Sequence, residues 1–126
     1  MKVLVVDDEP HIAHMLRFLF ERHGHQVVVA EDGRTALRLV EEEAPDLIFL
    51  DLNLPDIDGF QVCQQVRSRE GSRDTPLYIL TAQGQDINRE RGLSVGATGY
   101  ITKPFSPRSL LEIVESHRRE DGGPSS

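Results

Sequence analysis

Cysteine is nearly absent: Cys63 stands alone in 126 residues, so no intrachain disulfide can staple the fold. A lone thiol agrees with a reducing compartment, and a cytoplasmic location is expected. Basic residues are in deficit, with 14 Lys and Arg against 21 Asp and Glu, a formal charge of −7 and a pI near 5.1. Gripping a phosphate backbone takes clustered Lys and Arg, so direct nucleic-acid binding by this domain is excluded. Any DNA connection would run through a separate domain or partner. No apolar run approaches the ~20 residues of a membrane span, so no membrane partner is expected. The first apolar run ends in Asp7-Asp8 rather than in a small-residue cleavage site, and reads as a strand instead of a signal peptide. No Gly-rich phosphate loop follows that run, which argues against nucleotide binding. Internal repeats and low-complexity blocks are also missing before the tail.

What is present fits one soluble domain. At 14.2 kDa, with 38% hydrophobic and 28% charged residues, the chain is long enough to bury a single core. The domain is expected over residues 1–120, with 121–126 as a polar tail or the start of a linker. Five strand-like runs, Lys2–Val6, Gln26–Ala30, Leu47–Asp51, Leu77–Thr81 and Gly99–Thr102, alternate with helix-like segments. That rhythm predicts an α/β domain with a parallel sheet covered by helices.

The helices carry their own punctuation. Pro10 suits a first helical position, and Ile12, Leu16, Leu19 and Phe20, with Met15 beside them, recur at helical spacing until Gly24 stops the run. Asp32 is positioned to cap a second helix that turns Ala36, Leu37 and Val40 to the core, ending at Ala44-Pro45. Asp58-Gly59 opens a third helix with Phe60, Val62, Cys63 and Val66 inward, and 67–74 reads as a loop. Residues 85–95 form the weakest helix, because the helical neighbours of Ile87 are Glu90, Arg91 and Ser94, and such poorly buried elements are the ones that move. Ser106-Pro107 starts a last helix with Leu110, Leu111, Val114 and His117 inward.

Chemistry concentrates at the strand ends. In a parallel sheet the carboxyl ends share one edge, which here presents Asp7, Asp8, Asp51, Thr81 and Lys103. Taken singly, Asp8 can be a helix cap, Thr81 a strand end, Lys103 a solvated charge and Asp51 the start of a turn. Together they have a logic. Clustered carboxylates raise one another's cost of ionising and invite a cation, and hard oxygen ligands without His or Cys select Mg²⁺. A hydroxyl and an ammonium converging there suit a phosphoryl group, which a carboxylate such as Asp51 can accept as nucleophile. By contrast, His11 and His14 lie one turn apart with no third ligand and read as a solvated helix face, and Cys63 as a small core residue.

Four motifs in order, Val5-Val6-Asp7-Asp8-Glu9, Leu50-Asp51-Leu52-Asn53-Leu54-Pro55, Leu80-Thr81-Ala82 and Tyr100-Ile101-Thr102-Lys103-Pro104-Phe105, resemble the receiver domain of two-component response regulators. The resemblance implies a single-domain, doubly wound, flavodoxin-like fold with strand order 2-1-3-4-5 and five helices. It makes Asp51 the phosphoacceptor, Asp8 a direct Mg²⁺ ligand, Asp7 a helper mainly through water, and the backbone carbonyl of Asn53 a further ligand. Thr81 and Lys103 would hold the phosphoryl group, Ala82 would leave room for it, and the Lys103-Pro104 bond would be cis. Thr81 and Tyr100 would form the switch, altering the face of the fourth helix, fifth strand and fifth helix. Asn53 and Gln83 occupy the positions that set phosphate lifetime in the family. The implied partners are a sensor histidine kinase or histidine phosphotransfer protein and a downstream target or fused output domain. No external metabolite would be turned over.

One departure from the winged-helix transcription-factor class of receivers is Thr98-Gly99 before Tyr100, with Ile113 and Glu115 in the last helix, where that class carries a charged dimer face. It favours a stand-alone receiver or another kind of output. Two rivals are weighed. A haloacid-dehalogenase-like phosphatase also uses Asp, Thr, Lys and Mg²⁺, but wants an Asp-x-Asp pair on its first strand, whereas Asn53 stands two beyond Asp51 on the third. A phosphate-independent interaction module would have no use for the intact acid, Thr and Lys set.

Overall fold

A computed structural model describes residues 1–82, 91 and 94–122. The five strands fall where the apolar runs place them: β1 (Lys2–Val6), β2 (Gln26–Ala30), β3 (Leu47–Asp51), β4 (Leu77–Thr81) and β5 (Gly99–Thr102). All neighbours pair in parallel, in the order β2-β1-β3-β4-β5. The described helices are α1 (Pro10–Arg22), α2 (Gly33–Glu43), α3 (Gly59–Ser68) and α4 (Pro107–Gly122). Four helices are thus seen among the described residues against the five expected. The expected helix over 85–95 lies outside them apart from Arg91, Ser94 and Val95, as does Gln83.

Strand alternation divides the core into two layers. Leu4, Val6, Ile48, Leu50, Leu77 and Ile79 face α2 and α3, where they meet Ala36, Val40, Phe60 and Val66. Val3, Val5, Leu47, Phe49 and Leu80 face α1 and α4, against Leu16, Phe20, Leu110 and Val114. The central strand β3 is buried at all five positions, which explains its unbroken apolar run, while the edge strand β5 is only half-buried.

Helix ends follow local chemistry. Asp32 caps α2 by accepting from Thr35 N at 2.7 Å, and Ala44 (φ 45°) followed by Pro45 ends it. Asp58 caps α3 by accepting from Phe60 N at 2.7 Å.

Two expectations shift. Met15 and Phe18 are 43% and 54% exposed, because Ala13, Leu16 and Phe20 form the inner stripe of α1 and Ile12 and Leu19 only its flanks. Arg67 and Ser68 belong to α3 rather than to a loop. The Arg67 guanidinium fastens that last turn by donating to the carbonyls of Gly96 at 2.7 Å and Thr75 at 2.6 Å. The last helix, α4, runs from Pro107 to Gly122.

Candidate functional site at the strand ends

Strand register decides which side chains meet. Val6 pairs with Leu50, Asp51 with Leu80 and Thr81 with Thr102, so the carboxyl ends of β1, β3, β4 and β5 lie side by side. Asp7 follows β1 directly, and its N–H extends the ladder to Ala30 O at 3.0 Å. Asp7 and Asp51 continue the residue alternation of the α1/α4 face. Thr81 and Tyr100 continue that of the opposite face, where Tyr100 packs half-buried against the α2/α3 layer.

Carboxylate oxygens of Asp7, Asp8 and Asp51 lie within 4.8 Å of one another. Asp7 is fully buried, Asp51 is 3% exposed and Thr81 2%, whereas Asp8 is open to solvent. The Lys103 ammonium bridges the two buried acids, 3.1 Å from Asp51 Oδ2 and 3.3 Å from Asp7 Oδ2, with Glu9 Oε1 at 3.6 Å. The remaining oxygens are satisfied by backbone: Glu9 N donates to Asp7 Oδ1 at 2.9 Å, and Asn53 N to Asp51 Oδ1 at 3.0 Å. The Lys103-Pro104 bond is cis, as expected.

Electrostatics follow this packing. Loss of solvent raises the Asp7 carboxyl above its ordinary value; the Glu9 N–H and Lys103 oppose that rise, and the Asp51 charge adds to it. Burial alone would lower the Lys103 ammonium, but the charges of Asp51 and then Asp7 outweigh it and hold it up. One ammonium therefore faces three carboxylates, leaving a deficit of positive charge. The donor set is entirely oxygen, with no His or Cys in the cluster, so it fits a hard divalent cation.

Two clefts of about 390 Å³ each lie beside the buried Asp51. One gathers Asp8, Asn53 and Thr81 with Pro55, Asp58 and Phe60. The other is lined by Glu9, Ile12, Met15, Ala82, Lys103, Pro104 and Phe105. Asp8, Asn53 and Thr81 thus line one cleft and Ala82 and Lys103 the other, Asp7 and Asp51 lie buried beside Lys103, and Tyr100 stands on β5 paired with Ile79. Two further residues went unnoticed in sequence. Glu9 is the third carboxylate beside Lys103, and Asp56 binds the loop after Asp51 to α2. Nothing local to Asp56 announces this, since two of its partners, Gly33 and Arg34, lie 23 and 22 residues away.

The chain belongs to the response regulator receiver domain family, whose model matches residues 3–115. It is 44% identical over 127 residues to the alkaline phosphatase synthesis transcriptional regulatory protein PhoP of Bacillus subtilis, covering 99% of this chain and 52% of that protein. It therefore spans about half the length of that curated relative. Among solved structures it resembles the chemotaxis response regulator CheY4 of Vibrio cholerae, with 35% identity, a TM-score of 0.86, and coverage of 92% of this chain and 97% of that one. It also resembles the receiver domain of the sensor histidine kinase PA1611 of Pseudomonas aeruginosa, with 30% identity, a TM-score of 0.82, and coverage of 91% and 94%. That structure has a magnesium ion coordinated in its active site cleft. Family membership sets aside the phosphatase-like alternative.

Proposed function

We propose that this receiver domain is a phosphorylation-dependent switch in which Asp51 accepts a phosphoryl group from the phosphohistidine of a sensor histidine kinase or histidine phosphotransfer protein. The observation that carries this reading is Lys103 bridging Asp51 and Asp7 beside a third carboxylate, Asp8. An Asp51 carboxylate oxygen attacks phosphorus, the O–P bond forms as the N–P bond breaks, and the imidazole leaves with its electron pair. Asp7, Asp8, Asp51 and the Asn53 carbonyl would hold Mg²⁺, which supplies positive charge against the phosphoryl oxygens. Lys103 neutralises a second part of that charge, and the Thr81 hydroxyl donates to another oxygen. Ala82 leaves space beside Thr81, and Tyr100 on the adjacent strand responds to its movement.

The domain turns over no external substrate in this reading. Its altered face controls a target protein or an output domain joined to residues 121–126, in the cytoplasm. No described helix is long and apolar enough to cross a membrane. For the phosphodonor protein we propose the outer face of α1. Its exposed Met15 and Phe18 line an apolar groove of about 790 Å³, which shares Met15 with the cleft at Lys103.

The test is incubation with Mg²⁺ and a small acyl phosphate. The expected result is an acid-stable, base-labile mass increase of one phosphoryl group that is abolished in Asp51→Asn. A protein that stays unmodified, or takes the group at another residue, overturns the proposal.

A further inference from the structure

The seven residues that link β3 to α3, 52–58, hold the Asn53 carbonyl assigned above to the metal. This loop is closed at its base, where Gly59 N donates to Leu52 O at 3.3 Å. A Cβ on Gly59 would lie 2.8 Å from both Asp51 O and Leu52 Cα, so only glycine lets the two ends of the loop approach this closely.

At its far side the loop is tied to another element altogether. Asp56 Oδ1 accepts from Gly33 N at 2.8 Å and from Ile57 N at 2.8 Å, and Oδ2 accepts from Arg34 N at 2.9 Å. Gly33 and Arg34 are the first two residues of α2, whose N–H groups have no partner within the helix. Asp32 already serves Thr35 N, so Asp56 supplies from outside what the helix's own cap does not reach. Its negative charge also lies at the favourable end of the helix dipole. Beside it Ile57 fills the space over Gly33, where an added Cβ would come within 2.3 Å of Ile57 Cγ1.

From this double anchorage, and resting on the Mg²⁺ reading of the site, we infer that Asp56 is a positioning residue. By fastening the acceptor loop to the first turn of α2, it fixes the Asn53 backbone where its carbonyl can serve the metal. Only Leu54 and Pro55 separate Asn53 from Asp56, so freeing one end of this short span frees the other. The first turn of α2 thereby becomes a structural part of the acceptor site, although none of its own side chains lines either cleft.

The experiment measures binding of Mg²⁺ alone to the unphosphorylated protein, by calorimetry and by ¹⁵N shifts of the 52–58 amides. Asp56→Asn keeps one acceptor oxygen but turns an amide N–H₂ toward a backbone N–H. It is expected to weaken Mg²⁺ binding by about tenfold, the usual size of an outer-sphere effect on a metal site. Acyl-phosphate labelling of Asp51 should then need more Mg²⁺ for half its maximal rate while keeping that rate at saturation. Gly33→Ala, which displaces Ile57 but leaves the Asp56 carboxylate in place, should weaken Mg²⁺ binding in the same direction and serves if Asp56→Asn does not fold. Asp32→Ala is the control for mere loosening of α2: stability should fall while Mg²⁺ affinity stays within about twofold. Unchanged Mg²⁺ affinity in folded Asp56→Asn or Gly33→Ala, or an equal loss in Asp32→Ala, overturns the positioning role and leaves the acceptor reading intact. A wild-type protein that neither binds Mg²⁺ nor takes a phosphoryl group overturns both.

Discussion

Replacing Asp7 by Asn should stabilise the metal-free domain while impairing its site. At an effective dielectric near 20, two full charges 4.8 Å apart repel by roughly 3.5 kcal/mol. Ionised Asp7 meets one such buried neighbour, Asp51, since the charge of the exposed Asp8 is screened by solvent. Against this stands its attraction to Lys103 at 3.3 Å, about 5 kcal/mol on the same scale. These two charges leave a small net attraction of about 1.5 kcal/mol, which the loss of solvent around Asp7, the largest influence on its carboxyl, outweighs. Asn keeps an oxygen for the Glu9 N–H and sheds the charge, so the gain should be on the order of 1 kcal/mol, a rise of about 3–5 °C in Tm for a domain of this length.

The pH dependence has a definite sign. The Asp7 carboxyl lies above its ordinary value, chiefly through desolvation, so the folded protein holds that proton more tightly than the unfolded chain does. Its contribution to stability is complete below the unfolded pKa of about 3.9 and is lost as pH rises through the folded value. The advantage of Asp7→Asn should accordingly be full near pH 7.5 and shrink toward pH 4. On the proposed Mg²⁺ reading only the ionised cluster would hold the metal, so added Mg²⁺ should raise the wild-type Tm more near pH 7.5 than near pH 5, and should raise that of Asp7→Asn far less. Thermal denaturation by circular dichroism, in EDTA and in Mg²⁺, reads all of this. A less stable Asp7→Asn in EDTA, or an undiminished Mg²⁺ shift in that variant, refutes the reasoning.

Phe18→Ser should slow phosphotransfer from a phosphorylated donor protein by about tenfold, the effect of losing one aromatic anchor, while acyl-phosphate labelling is unchanged. Gly99→Ala places a Cβ 2.7 Å from the Tyr78 ring and should destabilise the fold by about 1–3 kcal/mol in urea titrations, with part of that loss removed in a Tyr78→Leu background. Glu115 bonds to the buried His25 ring, a bond that holds the Glu115 carboxyl below its ordinary value. Glu115→Gln should therefore lose about 1–3 kcal/mol near pH 7, and its difference from wild type should narrow as pH falls below the unfolded value of about 4.3.

The legible parts of this protein are those in which neighbours in sequence determine neighbours in space. All five strands could be read because β1, β3 and β4 are covered on both sides and need unbroken apolar runs. The caps Asp32 and Asp58 act within three residues. The clustering of Asp7, Asp8, Asp51 and Lys103 was legible because parallel strands bring their carboxyl ends together whatever the helices between them do. Contacts between distant residues were not legible. His25 and Glu115 are 90 positions apart, and Tyr78 and His117 are 39 apart. The outward turn of Met15 was missed for another reason. At ~100° per residue, Met15 lies about 120° around α1 from the centre of the buried stripe, and Phe18 about 180°, so apolar identity alone misplaced one of them. Gly99, noted in sequence only as a departure from the charged dimer face, has a steric reason in the Tyr78 ring against it.

The distribution of burial also bears on where the proposed switch can yield. Val5, Phe49 and Leu50 at the centre of the sheet are wholly buried, and a small charge change at Asp51 cannot shift strands packed to that degree. β5 differs, being an edge strand whose residues are half-buried or exposed, and it ends one residue before Lys103. The ammonium that joins Asp7 to Asp51 is thus mounted on the least constrained strand of the sheet. In the proposed switch, a phosphoryl group on Asp51 would add negative charge on one side of that bridge, and any shift of Lys103 toward it would fall on β5 rather than on β1 or β3. Tyr100, three residues before Lys103 and paired with Ile79, is carried by the same strand. A local change of charge therefore has a mechanical route to the edge of the sheet, where little burial opposes it.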